Sequence, residues 1–141
     1  MVNQPTKPSV LFVCVKNAGK SQMAAGLMRK IAADSIDVYS GVTQPGTAIN
    51  SLSAQALMEV GVDITDQTPK PIESQLVHAV DVVVTLGRQA FVEPVAVTRF
   101  ENWDTDEPSE RGIDGIGRMR LVRDDITARV EDLLDRMLPS P

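Results

Sequence analysis

Apolar residues run unbroken from Val10 to Val13 and continue through Cys14 and Val15, which predicts a strand over residues 10–15 buried on both faces. The period then changes. Met23, Leu27 and Ile31 recur every fourth residue, with Arg29 and Lys30 near the end, and this predicts a helix over residues 21–33. Residues 37–40 read as a short strand before a glycine-bounded turn region, and 51–60 as a helix stopped by Gly61. Residues 71–79 form a third helical stretch with Pro71 in its first turn. A third buried strand over 81–86 contains Val82, Val83 and Val84, and a fourth over 95–100 is interrupted by Thr98 and Arg99. The clearest pattern comes last. Met119, Val122, Ile126, Val130, Leu133 or Leu134, and Met137 make one stripe along a helix spanning 119–137.

Strands alternating with helices imply right-handed crossovers and a parallel sheet covered on both faces. The expected architecture is a single α/β domain over residues 10–141 in three layers, with a four-stranded parallel sheet. Residues 1–9, with Pro5 and Pro8, read as a flexible tail. Ligands of such sheets bind beyond the carboxyl ends of the strands, and Cys14 closes the first strand. Residues 101–115 are acidic, punctuated by Gly and Pro, and too long for a simple connector, which points to a functional loop.

Composition narrows the classes. The chain has 141 residues, enough for one core, with 43% apolar and 23% charged positions. A net charge of −5 argues against general phosphate attraction to nucleic acid. A single cysteine forms no internal disulfide, no apolar run is long enough to span a membrane, and the start lacks a signal-peptide pattern. The expectation is a cytoplasmic protein with neither nucleic-acid nor membrane partners. His78 has no second His or Cys to join in a metal site, so no metal is expected.

Residues 14–21 read Cys-Val-Lys-Asn-Ala-Gly-Lys-Ser between the first strand and the first helix. Backbone N–H groups and the positive end of the helix dipole converge there, with Lys16 and Lys20 nearby, and such a place favours a thiolate. Three readings compete. Cys14 is an inert buried residue; or the segment is a nucleotide-binding phosphate loop whose first glycine is replaced by Cys14; or it is a cysteine-based oxyanion site. The lysines and Ser21, a candidate helix cap, count against the first. The missing glycine, and the absence of a strand closed by a magnesium-holding aspartate, count against the second.

The third reading is reinforced by resemblance. Residues 14–24, Cys-Val-Lys-Asn-Ala-Gly-Lys-Ser-Gln-Met-Ala, resemble the oxyanion loop of thiol-coupled arsenate reductases, within the low-molecular-weight tyrosine phosphatase superfamily. The likeness continues through Ser40-Gly41, Gly61-Val62-Asp63-Ile64, Thr68-Pro69-Lys70, the segment 79–87 and the segment 120–126. It implies a low-molecular-weight phosphatase-like fold, with Val15, Lys16, Asn17, Ala18, Gly19, Lys20 and Ser21 around the oxyanion. Cys14 attacks the oxyanion or orients it, and Ser21 bonds the thiolate or caps the helix. Asn17 braces the loop.

Two departures from the family pattern shape the expected activity. Lys20 stands where the family has arginine, which keeps the charge and loses the planar fork. The family's general acid precedes a proline in an acidic loop; here that position is Glu107, before Pro108, with Asp106 beside it. An absence matters more. Thioredoxin-coupled relatives carry further cysteines after the third strand, and residues 86–94 here contain none. One cysteine completes no disulfide of its own, so the second thiol comes from outside. Single-cysteine relatives imply arsenate and mycothiol as co-substrates, no tightly bound cofactor, and a glutaredoxin-like mycoredoxin as partner. Arg88, near that region, is a candidate contact for the small thiol. A phosphatase acting on phosphotyrosine or a small phosphoester, and a non-catalytic oxyanion-binding module, are the alternatives.

Overall fold

The computed structural model describes residues 7–15, 19–43, 51–65, 67, 70–88, 90–105 and 107–138. Its elements in order are β1 (Ser9–Cys14), α1 (Lys20–Ala32), β2 (Asp37–Val42), α2 (Ser51–Met58), α3 (Ser74–Ala79), β3 (Val82–Leu86), β4 (Arg99–Trp103), a 3-10 turn (Pro108–Arg111) and α4 (Gly115–Met137). The four strands form one parallel sheet in the order β2-β1-β3-β4. The expected α/β class and four-stranded parallel sheet are therefore present.

The unbroken apolar run of β1 follows from its place between two neighbours and two covered faces. Val10 and Phe12 enter the larger core, with Met23, Leu57, Val122, Ile126 and Leu133 from α1, α2 and α4. Leu11 and Val13 point the other way, onto Val77, Val80 and Val83. That alternation is the two-residue period of a strand. Phe12 also meets the Trp103 ring, with centroids 5.7 Å apart, and so links β1 to the end of β4.

Expectations change at several element ends: α4 starts at Gly115 instead of residue 119, and β2 runs on to Val42. The fourth strand is not 95–100 but Arg99–Trp103, because Val97 is exposed and Val95 packs at the margin of the smaller core. As an edge strand β4 tolerates polar side chains, and its Glu101 bonds Arg136 of α4 at 2.6 Å. Pro71 does not open a helix; it bridges Val42 in extended form, and α3 starts at Ser74. Ser9 leaves the expected tail to begin β1, where its N–H donates to Asp81 Oδ2 at 2.8 Å. Residues 1–6 lie outside the described residues.

Just past α2, Glu59 accepts from Arg120 Nη2 at 2.6 Å and Arg123 Nη1 at 2.8 Å, tying α2 to α4. The Arg120 bond, helped by Arg123, lowers its carboxyl from 4.5 to about 2. A depressed carboxyl stabilises the fold above its unfolded value, and that contribution is lost as pH falls through the folded one. Glu59→Gln is therefore expected to lower the melting temperature at pH 7. Thermal melts across the acid range should show the gap to the wild type closing between about pH 4.5 and 2.

Candidate active site

β1 delivers Cys14 to the carboxyl edge of the sheet, where the residue is 3% exposed and its carbonyl accepts from the Thr43 N–H at 2.9 Å. Val15 follows at the mouth, its carbonyl accepting from Thr43 Oγ1 at 3.1 Å. Lys16, Asn17 and Ala18 lie outside the described residues. Gly19 re-enters with φ 96°, a left-handed conformation that side chains resist, and this turn starts α1 at Lys20.

Gly19, not Ser21, is thus the residue that caps the helix, and its carbonyl accepts from the Met23 N–H at 2.7 Å. Ser21 sits one residue inside α1, buried, with Oγ 3.1 Å from Cys14 Sγ. Of the two roles read for Ser21, bonding the sulfur matches where its hydroxyl lies, while the cap falls to Gly19. A hydroxyl there donates to a thiolate, and bonds to charged groups contribute about 1.5–3 kcal/mol. Ser21→Ala is expected to slow turnover by roughly tenfold to a hundredfold. Iodoacetamide alkylation of Cys14 at pH 7 should slow in parallel.

Lys20 turns toward the acidic loop. Its Nζ donates to Thr105 Oγ1 at 3.0 Å and forms a short charged hydrogen bond with Glu107 Oε1. The Lys20 side chain is only 12% exposed, so this pair is largely screened from water. Glu107, the candidate acid before Pro108, is therefore brought to the loop from 87 residues away in sequence. Asp106 lies outside the described residues. Thr105, 2% exposed, belongs to the site although no sequence pattern marks it.

The acidic loop is held from several sides. Arg88 Nε donates to Asp104 Oδ1 at 3.0 Å and Nη1 to Glu110 Oε1 at 3.4 Å, while Arg129 Nη2 bonds the Asp104 carbonyl at 2.9 Å. The Asp104 bond raises the proton affinity of Arg88 further. Arg88, a candidate contact for a small thiol, serves here as an anchor of the loop. Asn102 Nδ2 reaches Thr85 Oγ1 at 2.8 Å and the Gly87 carbonyl at 3.0 Å, fixing the end of β4 to that of β3. His78 bonds Ser74 within α3, and among the described residues no three His, Cys, Asp or Glu side chains cluster to hold a metal. No described helix is long and apolar enough to cross a membrane.

Among the described residues the site thus joins a sulfur nucleophile with a hydroxyl beside it, a helix N-terminus, an ammonium and a carboxylate. Those groups suit attack on a tetrahedral oxyanion. Comparison with known proteins points the same way. Residues 9–139 match the low molecular weight phosphotyrosine protein phosphatase family. The sequence is similar to the arsenate reductase of Halalkalibacterium halodurans, 36% identical over 132 residues, covering 89% of this chain and 94% of that protein. The fold is similar to an arsenate reductase solved in the phosphate binding state, with TM-score 0.81 and 32% identity over 93% of this chain and 99% of that one. It is also similar to a thioredoxin-dependent arsenate reductase of Corynebacterium glutamicum, with TM-score 0.78 and 31% identity over 93% of this chain. This chain spans 62% of that protein's length.

Proposed function

Since the chain belongs to the low molecular weight phosphotyrosine protein phosphatase family, we propose that it is a thiol-coupled arsenate reductase. We propose further that it passes arsenate to mycothiol for reduction by a mycoredoxin, in the cytoplasm. The observation that carries this reading is the solitary Cys14, buried beside Ser21 at the oxyanion loop in a chain with no other cysteine. The similarity to proteins named arsenate reductase supports the substrate.

In this scheme the Glu107 carboxylate takes the proton of the Cys14 thiol and hands it to an arsenate oxygen, which departs as water while the sulfur attacks arsenic. Lys20 holds Glu107 through its ammonium, so the arriving oxyanion first draws that ammonium away from the carboxylate. The mycothiol thiolate then displaces Cys14 from arsenic. A mycoredoxin thiolate attacks the mycothiol sulfur, and the arsenic–sulfur bond breaks with its electron pair left on arsenic. Arsenic goes from the pentavalent to the trivalent state, and two thiols become one mixed disulfide. Neither sulfur of that disulfide belongs to this chain.

The test is arsenate-dependent NADPH oxidation under two reducing systems. Mycothiol with mycoredoxin and its reductase should support turnover, and thioredoxin with its reductase should not. Turnover with thioredoxin alone would overturn the external small thiol. Hydrolysis of p-nitrophenyl phosphate without arsenate turnover would assign a phosphatase, and phosphate binding with neither activity an oxyanion-binding module.

A further inference from the structure

Lys20 poses a physical problem that its surroundings answer. An ammonium is a point charge with three N–H donors on a flexible four-carbon stem, so by itself it imposes little direction on an anion. Here two of the three donors are taken. One goes to Thr105 Oγ1 at 3.0 Å and one to Glu107 Oε1. With one N–H held by Thr105, the other two are confined to a cone about that bond even when Glu107 is released. We propose that Thr105 is a positioning residue for oxyanion binding: its hydroxyl holds the Lys20 ammonium in place and gives the lysine direction at the site.

The two acceptors respond differently to an arriving anion. Glu107 carries a negative charge that competes with the anion for Lys20, and in the proposed reaction it also hands on a proton. The Thr105 hydroxyl is neutral, does not titrate, and competes weakly, so it keeps hold of Nζ as Glu107 lets go. Its own placement is firm. Thr105 is 2% exposed, between Asp104, whose carbonyl Arg129 binds at 2.9 Å and whose carboxylate Arg88 binds at 3.0 Å, and the Glu107–Pro108 turn. The Lys20 stem is itself mostly covered, so a hydroxyl lost here is not readily replaced by water.

This inference rests on the oxyanion site of the proposed function, and binding of inorganic phosphate tests it without turnover. Isothermal titration of phosphate into the full chain should show Thr105→Val binding about five- to tenfold more weakly than wild type. Thr105→Ser, which restores the hydroxyl, should fall within about twofold of wild type. The decisive comparison is a double-mutant cycle: in a Lys20→Met background, adding Thr105→Val should cost nothing further. An equal loss in both backgrounds, or wild-type affinity in Thr105→Val, overturns the positioning role. If Thr105→Val fails to fold by circular dichroism, Thr105→Ala takes its place in the same cycle with the same expected outcomes. Absence of phosphate binding by the wild type overturns the oxyanion site and this role together, whereas failure of the cycle alone leaves the proposed function standing.

Discussion

Replacing Cys14 by serine is expected to lower arsenate-dependent turnover by about 10³-fold or more while phosphate binding survives. Serine is close to cysteine in volume, and β1 is paired on both sides, so the strand has no reason to move. What disappears is the sulfur nucleophile, and the chain has no second one to take its place. The hydroxyl that replaces it sits beside Ser21 and is a far weaker nucleophile than sulfur. Binding should respond in the opposite sense. Serine puts a neutral hydroxyl of similar size beside the oxyanion, so the substitution adds no charge that repels it. Phosphate should therefore bind Cys14→Ser at least as tightly as wild type. Turnover in the presence of both co-substrates, with phosphate titration as the control, checks both halves.

The second large effect belongs to Lys20. Lys20→Met keeps the length of the stem and removes the charge, and kcat/KM should fall by about 10²- to 10³-fold. Two causes act together. The oxyanion loses a cationic partner, and the half-buried Glu107 carboxylate loses the ammonium paired with it. A carboxylate in that position repels the substrate as well as failing to attract it. Adding Glu107→Gln to Lys20→Met should consequently recover part of the lost phosphate affinity without restoring turnover. Steady-state kinetics with parallel phosphate titrations separate the two contributions.

Legibility from sequence varies with how local the cause of each feature is. β1 and β3 are readable because a strand buried on both faces must be apolar throughout, and α4 because one helical face must be. β4 lies later than its valines suggest, because an edge strand carries Arg99, Glu101 and Asn102, while the valines before it pack at the margin of a core or lie exposed. At the site, Cys14 and Lys20 announce themselves by spacing between a strand and a helix. The position of Ser21 is readable and its relation to the helix is not, since the left-handed turn at Gly19 starts α1 one residue earlier. Thr105 gives no signal at all. A threonine in an acidic stretch looks like loop, and its partner Lys20 lies 85 residues away, brought close only because the parallel sheet puts the carboxyl ends of β1 and β4 at one edge.

The proposed chemistry depends above all on the external thiol. The most direct measurement mixes the protein, arsenate and mycothiol without mycoredoxin and tracks both small molecules and protein by mass spectrometry. A mycothiol–arsenate adduct should accumulate while the protein returns to the mass of the free Cys14 thiol and no arsenite appears. Arsenite released by protein and thioredoxin with no small thiol present, and no adduct when mycothiol is supplied, would contradict it.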